Sequence, residues 1–192
     1  AMNRGIEMAL FLTLPAAVAL AVIPEAVVTV LFERGAFTAD DARATGFVLA
    51  AYALGLPAFV LVKVLSPGFF AREDTKTPVK IAAVSVAANI VLGFALYRPF
   101  GAVGLALATS LASWINTILL GWILHRRGYF APDTMLMGRL PRAFAASLAM
   151  GMLVLGGAVF GADALTSNEL VRALALAVIC GAGAVAYFTL AW

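Results

Sequence analysis

Arg72, Glu73, Asp74, Lys76 and Lys80 crowd into the stretch Ser66-Pro-Gly-Phe-Phe-Ala-Arg-Glu-Asp-Thr-Lys-Thr-Pro-Val-Lys80, set between two long apolar runs. A planar guanidinium can hold two phosphate oxygens at once, and an ammonium adds a point charge beside it. Arg72 with Lys63 could therefore grip a diphosphate at the inner mouth of a cavity. Two plainer readings stand beside this one. Lys63 lies near the end of an apolar run and could snorkel to lipid headgroups. Glu73 and Asp74 could neutralise Arg72, making the stretch a salt-bridge latch between helix ends.

A second set of polar residues lies inside apolar runs, where polar groups are costly and usually face a cavity or a neighbouring helix. Asn89 falls near the middle of one run, and Thr109, Ser110, Ser113, Asn116 and Thr117 fall in the next. Thr109, Ser113, Asn116 and Thr117 follow spacings of three or four and share one helix face. They form either a cation or substrate pocket or an interhelical packing seam, since Ser, Thr and Asn commonly bond across membrane helices.

Catalytic signatures are missing. The sequence has no intramembrane carboxylate pair, no glycine-rich phosphate loop, and one histidine, His125, which belongs with Arg126 and Arg127 in a basic membrane-edge cluster. Cys180 is the sole cysteine, which excludes disulfides and cysteine metal sites. An enzyme and a metal centre are both disfavoured. The net charge of +3 follows from topology and does not point to nucleic acid.

The elements that must position these residues are membrane helices. Mean hydropathy is +1.02, and charged residues make up 12% of the chain, against about 25% in soluble domains. Six apolar runs, near 8–32, 44–65, 79–97, 102–124, 143–161 and 170–192, each approach the ~20 residues needed to cross a bilayer. An all-α polytopic membrane protein follows, with no room for a soluble domain. The first run is too long for a signal peptide, and the sequence is expected to be part of a longer polypeptide.

If the runs alternate in direction, Arg4, Lys63, Arg72, Lys76, Lys80, Arg126, Arg127, Arg139 and Arg142 fall on one side. Arg34, Arg43, Arg98 and Arg172 fall on the other. The positive-inside rule then places the first side, both chain ends and the 66–80 connection in the cytoplasm. Local signals set helix ends. Pro24 should break the first run, with Glu25 in the first turn of a short helix over 25–33. Thr38 and Asp41 read as a capping box, as do Thr166 and Glu169. Thr77-Pro78 should start the third span at Pro78, and Gly101, Gly128 and Gly161 mark turns or exits.

Three stretches together resemble the lipid II flippase family, called MurJ or MviN, within the multidrug and oligosaccharidyl-lipid exporters. They are Leu31-Phe-Glu-Arg-Gly-Ala-Phe-Thr38, the motif from Lys63 to Lys80, and Gly101-Ala-Val-Gly-Leu-Ala-Leu-Ala-Thr-Ser110. The resemblance implies two six-helix lobes around a central cavity plus two helices forming a lipid groove, fourteen spans in all. The six runs resemble spans nine to fourteen. Residues 1–127 would be the latter part of the second lobe, 128–138 a cytoplasmic linker, and 139–192 the groove pair.

The implied function is moving an undecaprenyl-diphosphate-linked peptidoglycan precursor across the bacterial cytoplasmic membrane by alternating access. The implied partners are the bilayer, that precursor and the missing N-terminal spans, since one lobe cannot rock without another. Arg72 matches an inner-loop arginine of the family, and Thr77, Pro78 and Lys80 complete its motif. Asn89, Leu105 (through its carbonyl) and Thr109 match three ligands of a sodium site found in some members. Gly93 stands where that site has an aspartate, which leaves the set incomplete and no cofactor expected. The competing readings are an exporter of small cationic drugs and a non-transporting scaffold for cell-wall synthesis.

Overall fold

The computed structural model describes residues 2–131, 133–161 and 169–191, except for the side chains of Thr134 and Glu169. Every regular element described is a helix: α1 (Met2–Val22), α2 (Pro24–Phe32), α3 (Ala39–Ala53), α4 (Leu56–Leu65), α5 (Pro67–Phe70), α6 (Lys76–Phe100), α7 (Ala102–Arg126), α8 (Thr134–Phe160) and α9 (Glu169–Ala191). Helices α3 to α5 run on as one broken span, Ala39–Phe70, so six segments are long and apolar enough to cross a membrane.

Most of the helix boundaries follow local chemistry. Pro24 begins α2 at its first position, with Glu25 in the first turn, where a missing N–H costs nothing and the dipole favours an anion. The Thr38–Asp41 capping box is complete: the Thr38 Oγ1 accepts from the Asp41 N–H at 3.3 Å, and the Asp41 carboxylate accepts from the Thr38 N–H at 3.0 Å. The third span starts at Lys76 rather than Pro78. Proline is tolerated throughout a first turn, whose amides lack intrahelical partners, so it marks that turn and not its first residue. Likewise α8 begins at Thr134, well before its apolar run, because the Asp133 Oδ1 accepts from the Leu136 N–H at 2.8 Å. Thr166 lies outside the described residues.

Of three glycines with positive φ, two sit where a helix must end. Gly101 (φ 56°) turns α6 into α7 without a connecting loop, and the hairpin is so tight that a Cβ on Gly104 would clash with the Leu96 carbonyl oxygen. Gly128 (φ 69°) ends α7.

Helix α1 is central, packing on α3, α4, α8 and α9, whereas α6 packs chiefly on α7. One apolar cluster joins Ile6, Leu61, Leu65, Phe69, Leu120 and Leu124, near the end of the bundle that carries the 66–80 connection. A second joins Ile23, Met150, Val154 and Tyr187. Its Tyr187 is 1% exposed, and its hydroxyl donates to the Phe11 carbonyl at 2.7 Å. Polar contacts also sort to two ends. Arg172 pairs with Glu33 at 3.4 Å at one end. Arg127 pairs with Asp74, Arg139 with Glu7, and the Asn3 side chain donates to the Ala131 carbonyl at the other. That segregation is what alternating spans require.

Candidate functional site

The 66–80 connection is built from helix-end chemistry. Helix α5 closes in a Schellman turn, in which the Glu73 N–H donates to the Phe70 carbonyl at 3.0 Å and the Asp74 N–H to the Phe69 carbonyl at 3.2 Å. Glu73 takes the left-handed position, φ 59°, which glycine normally holds, at a cost of about 1 kcal/mol for a residue with a Cβ. The ring of Phe69 anchors the turn, fully buried in the apolar cluster.

Helix α7 ends in the same motif. The Gly128 N–H donates to the His125 carbonyl at 3.0 Å and the Tyr129 N–H to the Leu124 carbonyl at 2.9 Å. The two ends interlock reciprocally. Arg72, at the cap of the first, stacks its guanidinium 4.0 Å from the Tyr129 ring centroid of the second. Arg127, at the cap of the second, pairs through Nη1 with the Asp74 carboxylate of the first.

Further bonds fix the arrangement. The Arg127 Nη2 donates to the Thr77 hydroxyl at 3.1 Å, the Thr77 N–H donates to Asp74 Oδ1 at 3.0 Å, and the Arg72 Nη1 donates to the Gly68 carbonyl at 3.0 Å. Asp74 thus caps the start of α6 while it binds the end of α7. Hydrogen bonds from Thr77, then Arg127, hold its carboxyl down at about 2.

A latch between helix ends is present, and its pairing differs from the one expected. Asp74 neutralises Arg127, leaving Arg72 exposed and facing an aromatic ring rather than a carboxylate. The reason is geometric: Arg72 and Asp74 flank a left-handed residue and diverge. Lys63, Lys76 and Lys80 are exposed, and none has an ion pair among the described residues. In the sequence Arg127 reads as part of a membrane-edge cluster, and Tyr129 carries no signal of a role. The apolar helix ending in Arg127-Gly128 is a legible stop signal, but nothing in the sequence links it to a loop some fifty residues away.

The intramembrane polar stripe divides in two. The Thr109 hydroxyl lies 3.4 Å from Asn89 Oδ1 and donates to the Leu105 carbonyl at 3.0 Å, and the Ser113 hydroxyl donates to the Thr109 carbonyl at 2.9 Å. Asn116 is half-buried on the same helix. The single Thr109 proton is shared between the Leu105 carbonyl and the more distant Asn89 Oδ1, all these groups are neutral, and Gly93 faces Leu105 with no acid between them. The group holds no carboxylate, and its hydrogen-bonded geometry is that of a packing seam.

The other half of the stripe repairs a broken span. Pro57 has no N–H to offer, and the Gly55 N–H turns to the Tyr52 carbonyl at 2.9 Å instead of reaching Ala51. Helix α7 supplies donors along the break, to the Ala51 carbonyl that the Gly55 N–H has left and to Leu54, and adds a second bond at Ala58, whose carbonyl lies inside α4. The Ser110 hydroxyl donates to the Ala51 carbonyl at 2.7 Å, the Trp114 indole to Leu54 at 2.9 Å and the Thr117 hydroxyl to Ala58 at 3.0 Å. Orphaned carbonyls within a bilayer need such partners. Gly55 is required here because a Cβ would lie 2.6 Å from the Ser110 hydroxyl oxygen.

A cleft of about 660 Å³ opens between α1, α8 and α9 at the same end as the 66–80 connection. Arg4, Arg139 and Arg142 lie around it, with Met8, Phe11 and Ala143 in its wall. A smaller apolar cavity of about 250 Å³ also reaches Phe11, then Pro15, Cys180 and Ala184. Cationic groups and an apolar trough thus share one side of the bundle.

Comparison with known proteins gives a consistent result. A family model described as lipid II flippase MurJ matches residues 1–180. The chain is 43% identical to the probable lipid II flippase MurJ of Rhizobium meliloti over 99% of its length and 36% of that protein's. It is 38% identical to the Vibrio cholerae protein of the same description, covering 98% of this chain and 36% of that protein. A solved structure of lipid II flippase MurJ in an inward closed conformation superposes with a TM-score of 0.73 at 27% identity, over 98% of this chain and 38% of the other. The chain therefore spans about a third of the length of the relatives it matches.

Proposed function

Because this chain belongs to the lipid II flippase MurJ family, we propose that it is the latter part of a flippase for a diphosphate-linked peptidoglycan precursor, with Arg72 at the inner gate. The precursor's headgroup carries charge that hydrocarbon excludes, so it needs a hydrated cationic path while its polyprenyl tail stays in lipid. The observation that carries the reading is the state of Arg72: exposed, stacked on Tyr129 and without a carboxylate partner among the described residues. Its guanidinium retains the charge and fork that a phosphate would engage. Asp74 and Thr77 hold the loop, while Lys63, Lys76 and Lys80 add positive potential around it.

The same reading makes residues 1–127 the latter part of the second lobe, equivalent to spans nine to twelve, and 139–192 the groove pair, with 128–138 between them. The trough between α1, α8 and α9 supports a lipid-facing role for that pair. Residues outside this chain would supply the opposing lobe, and the protein would act as a transporter rather than an enzyme. The charge distribution supports a cytoplasmic-membrane location with both ends of the chain inside. No step is routed through sodium, given the neutral, mutually bonded oxygens around Asn89 and Thr109.

The test is Arg72→Ala in the full-length protein, in cells depleted of their own flippase. Loss of growth at normal protein level is expected, with partial recovery by Arg72→Lys, which keeps charge but not the fork. Normal growth of Arg72→Ala would remove the assigned role.

A further inference from the structure

We propose that Arg127 and Tyr129 are positioning residues for Arg72, and that the interlocked ends of α5 and α7 form a clasp that makes the inner loop and the linker to α8 move as one body. The proposal rests on the flippase reading only for what Arg72 does. Its geometry stands alone.

Each Schellman turn presents its cap residue to the residue that closes the other turn: Arg72 to Tyr129, and Arg127 to Asp74. Two basic residues at two helix carboxyl ends also sit favourably with the helix dipoles, so neither end would gain by releasing its arginine. The clasp reaches two further elements, α6 and α1, and is tied again to α7. Thr77 carries it into the first turn of α6. The Phe130 carbonyl meets His125 Nδ1 at 3.1 Å, and the Ala131 carbonyl takes the Asn3 side chain at the start of α1.

A displacement of the loop must therefore either break the Asp74–Arg127 pair or drag residues 127–131, which lead directly into α8. Tyr129 supplies a flat apolar platform that keeps the Arg72 guanidinium in one plane. A carboxylate there would cancel the charge, and an aliphatic side chain would leave its orientation unset.

The clasp is tested by trypsin cleavage after Arg72 in the detergent-solubilised full-length protein, alongside growth complementation. Asp74→Ala and Arg127→Ala should each speed cleavage roughly fivefold, the scale of one exposed charge-assisted contact. The double variant should fall well short of the product of the singles, since both remove the Asp74–Arg127 contact while each also loses its own bond to Thr77. Tyr129→Leu should speed cleavage and Tyr129→Phe, which keeps the ring, should restore the parent rate. Unchanged rates in the single variants, or multiplicative rates in the double, would overturn the clasp. Growth separates the two readings: if Arg72→Ala grows normally while the cleavage pattern holds, the clasp stands and the role of Arg72 falls.

Discussion

Replacing Phe69 with alanine should loosen the inner loop from within. Phe69 is 0% exposed, while its neighbour Phe70 is 52% exposed. The Phe69 carbonyl accepts the Arg72 and Asp74 amides at 2.9 and 3.2 Å, so its ring pins the turn that carries both clasp residues. Truncation removes about 100 Å³ of side chain, and at ~24 cal/mol per Å³ of residual cavity the loss is about 2–3 kcal/mol. The full Phe→Ala range in soluble cores reaches ~5 kcal/mol; the lower figure applies because an unfolded state in lipid or detergent also shelters the ring. Unfolding of the full-length protein in mixed micelles of increasing SDS fraction, followed by helicity, measures it. Phe70→Ala serves as the control and should stay within ~0.5 kcal/mol of the parent. If Phe69→Ala matches Phe70→Ala, the loop is not anchored by this ring and the argument fails.

The α6–α7 hairpin and the latch give further tests. Gly104→Ala places a methyl against the Leu96 carbonyl and should cost about 1–3 kcal/mol in the same assay. Gly156→Ala, with nothing within 4 Å, should instead gain about 0.5–1 kcal/mol. The Asp74 carboxyl, held down at about 2 from 3.8, contributes its stabilisation fully above pH 3.8 and loses it as pH falls towards 2. The infrared carboxylate band absent from Asp74→Asn should accordingly titrate near pH 2, and a midpoint near 4 would mean the latch does not form.

The sequence carried the membrane spans because each depends on a local sum of apolar residues, and it carried the Thr38 cap and the Pro24 break because both act within one turn. It also carried the importance of the 66–80 connection, through its density of charge. Contacts that depend on tertiary approach were not legible. Asp74 has several cations near it in sequence, and the one it meets, Arg127, is chosen by the left-handed turn at Glu73 and by the packing of α4 on α7. Thr109, Ser113, Asn116 and Thr117 read as one face, yet Thr117 joins Ser110 in bonding to the neighbouring backbone around its break, where the Gly55 N–H has turned to Tyr52 and left the Ala51 carbonyl without its partner. That need belongs to the partner helix and leaves no mark on α7 itself.

The break at Gly55 and Pro57 also bears on how deep the inner loop sits. The span Ala39–Phe70 has 32 residues, about 48 Å if straight at ~1.5 Å per residue, against ~30 Å of hydrocarbon. Such an excess is taken up by tilt, bending or protrusion. Because α7 bonds across the joint and is clasped to its inner end, the inner arm from Leu56 to Phe70, about 22 Å long, can lean only together with α7. Across the ~40° range of tilt seen for membrane helices, its tip would travel about 5 Å along the bilayer normal. Bilayer thickness then becomes a variable that raises or lowers Arg72 relative to the headgroup layer, and thinner or thicker lipid should shift the reach of this arginine.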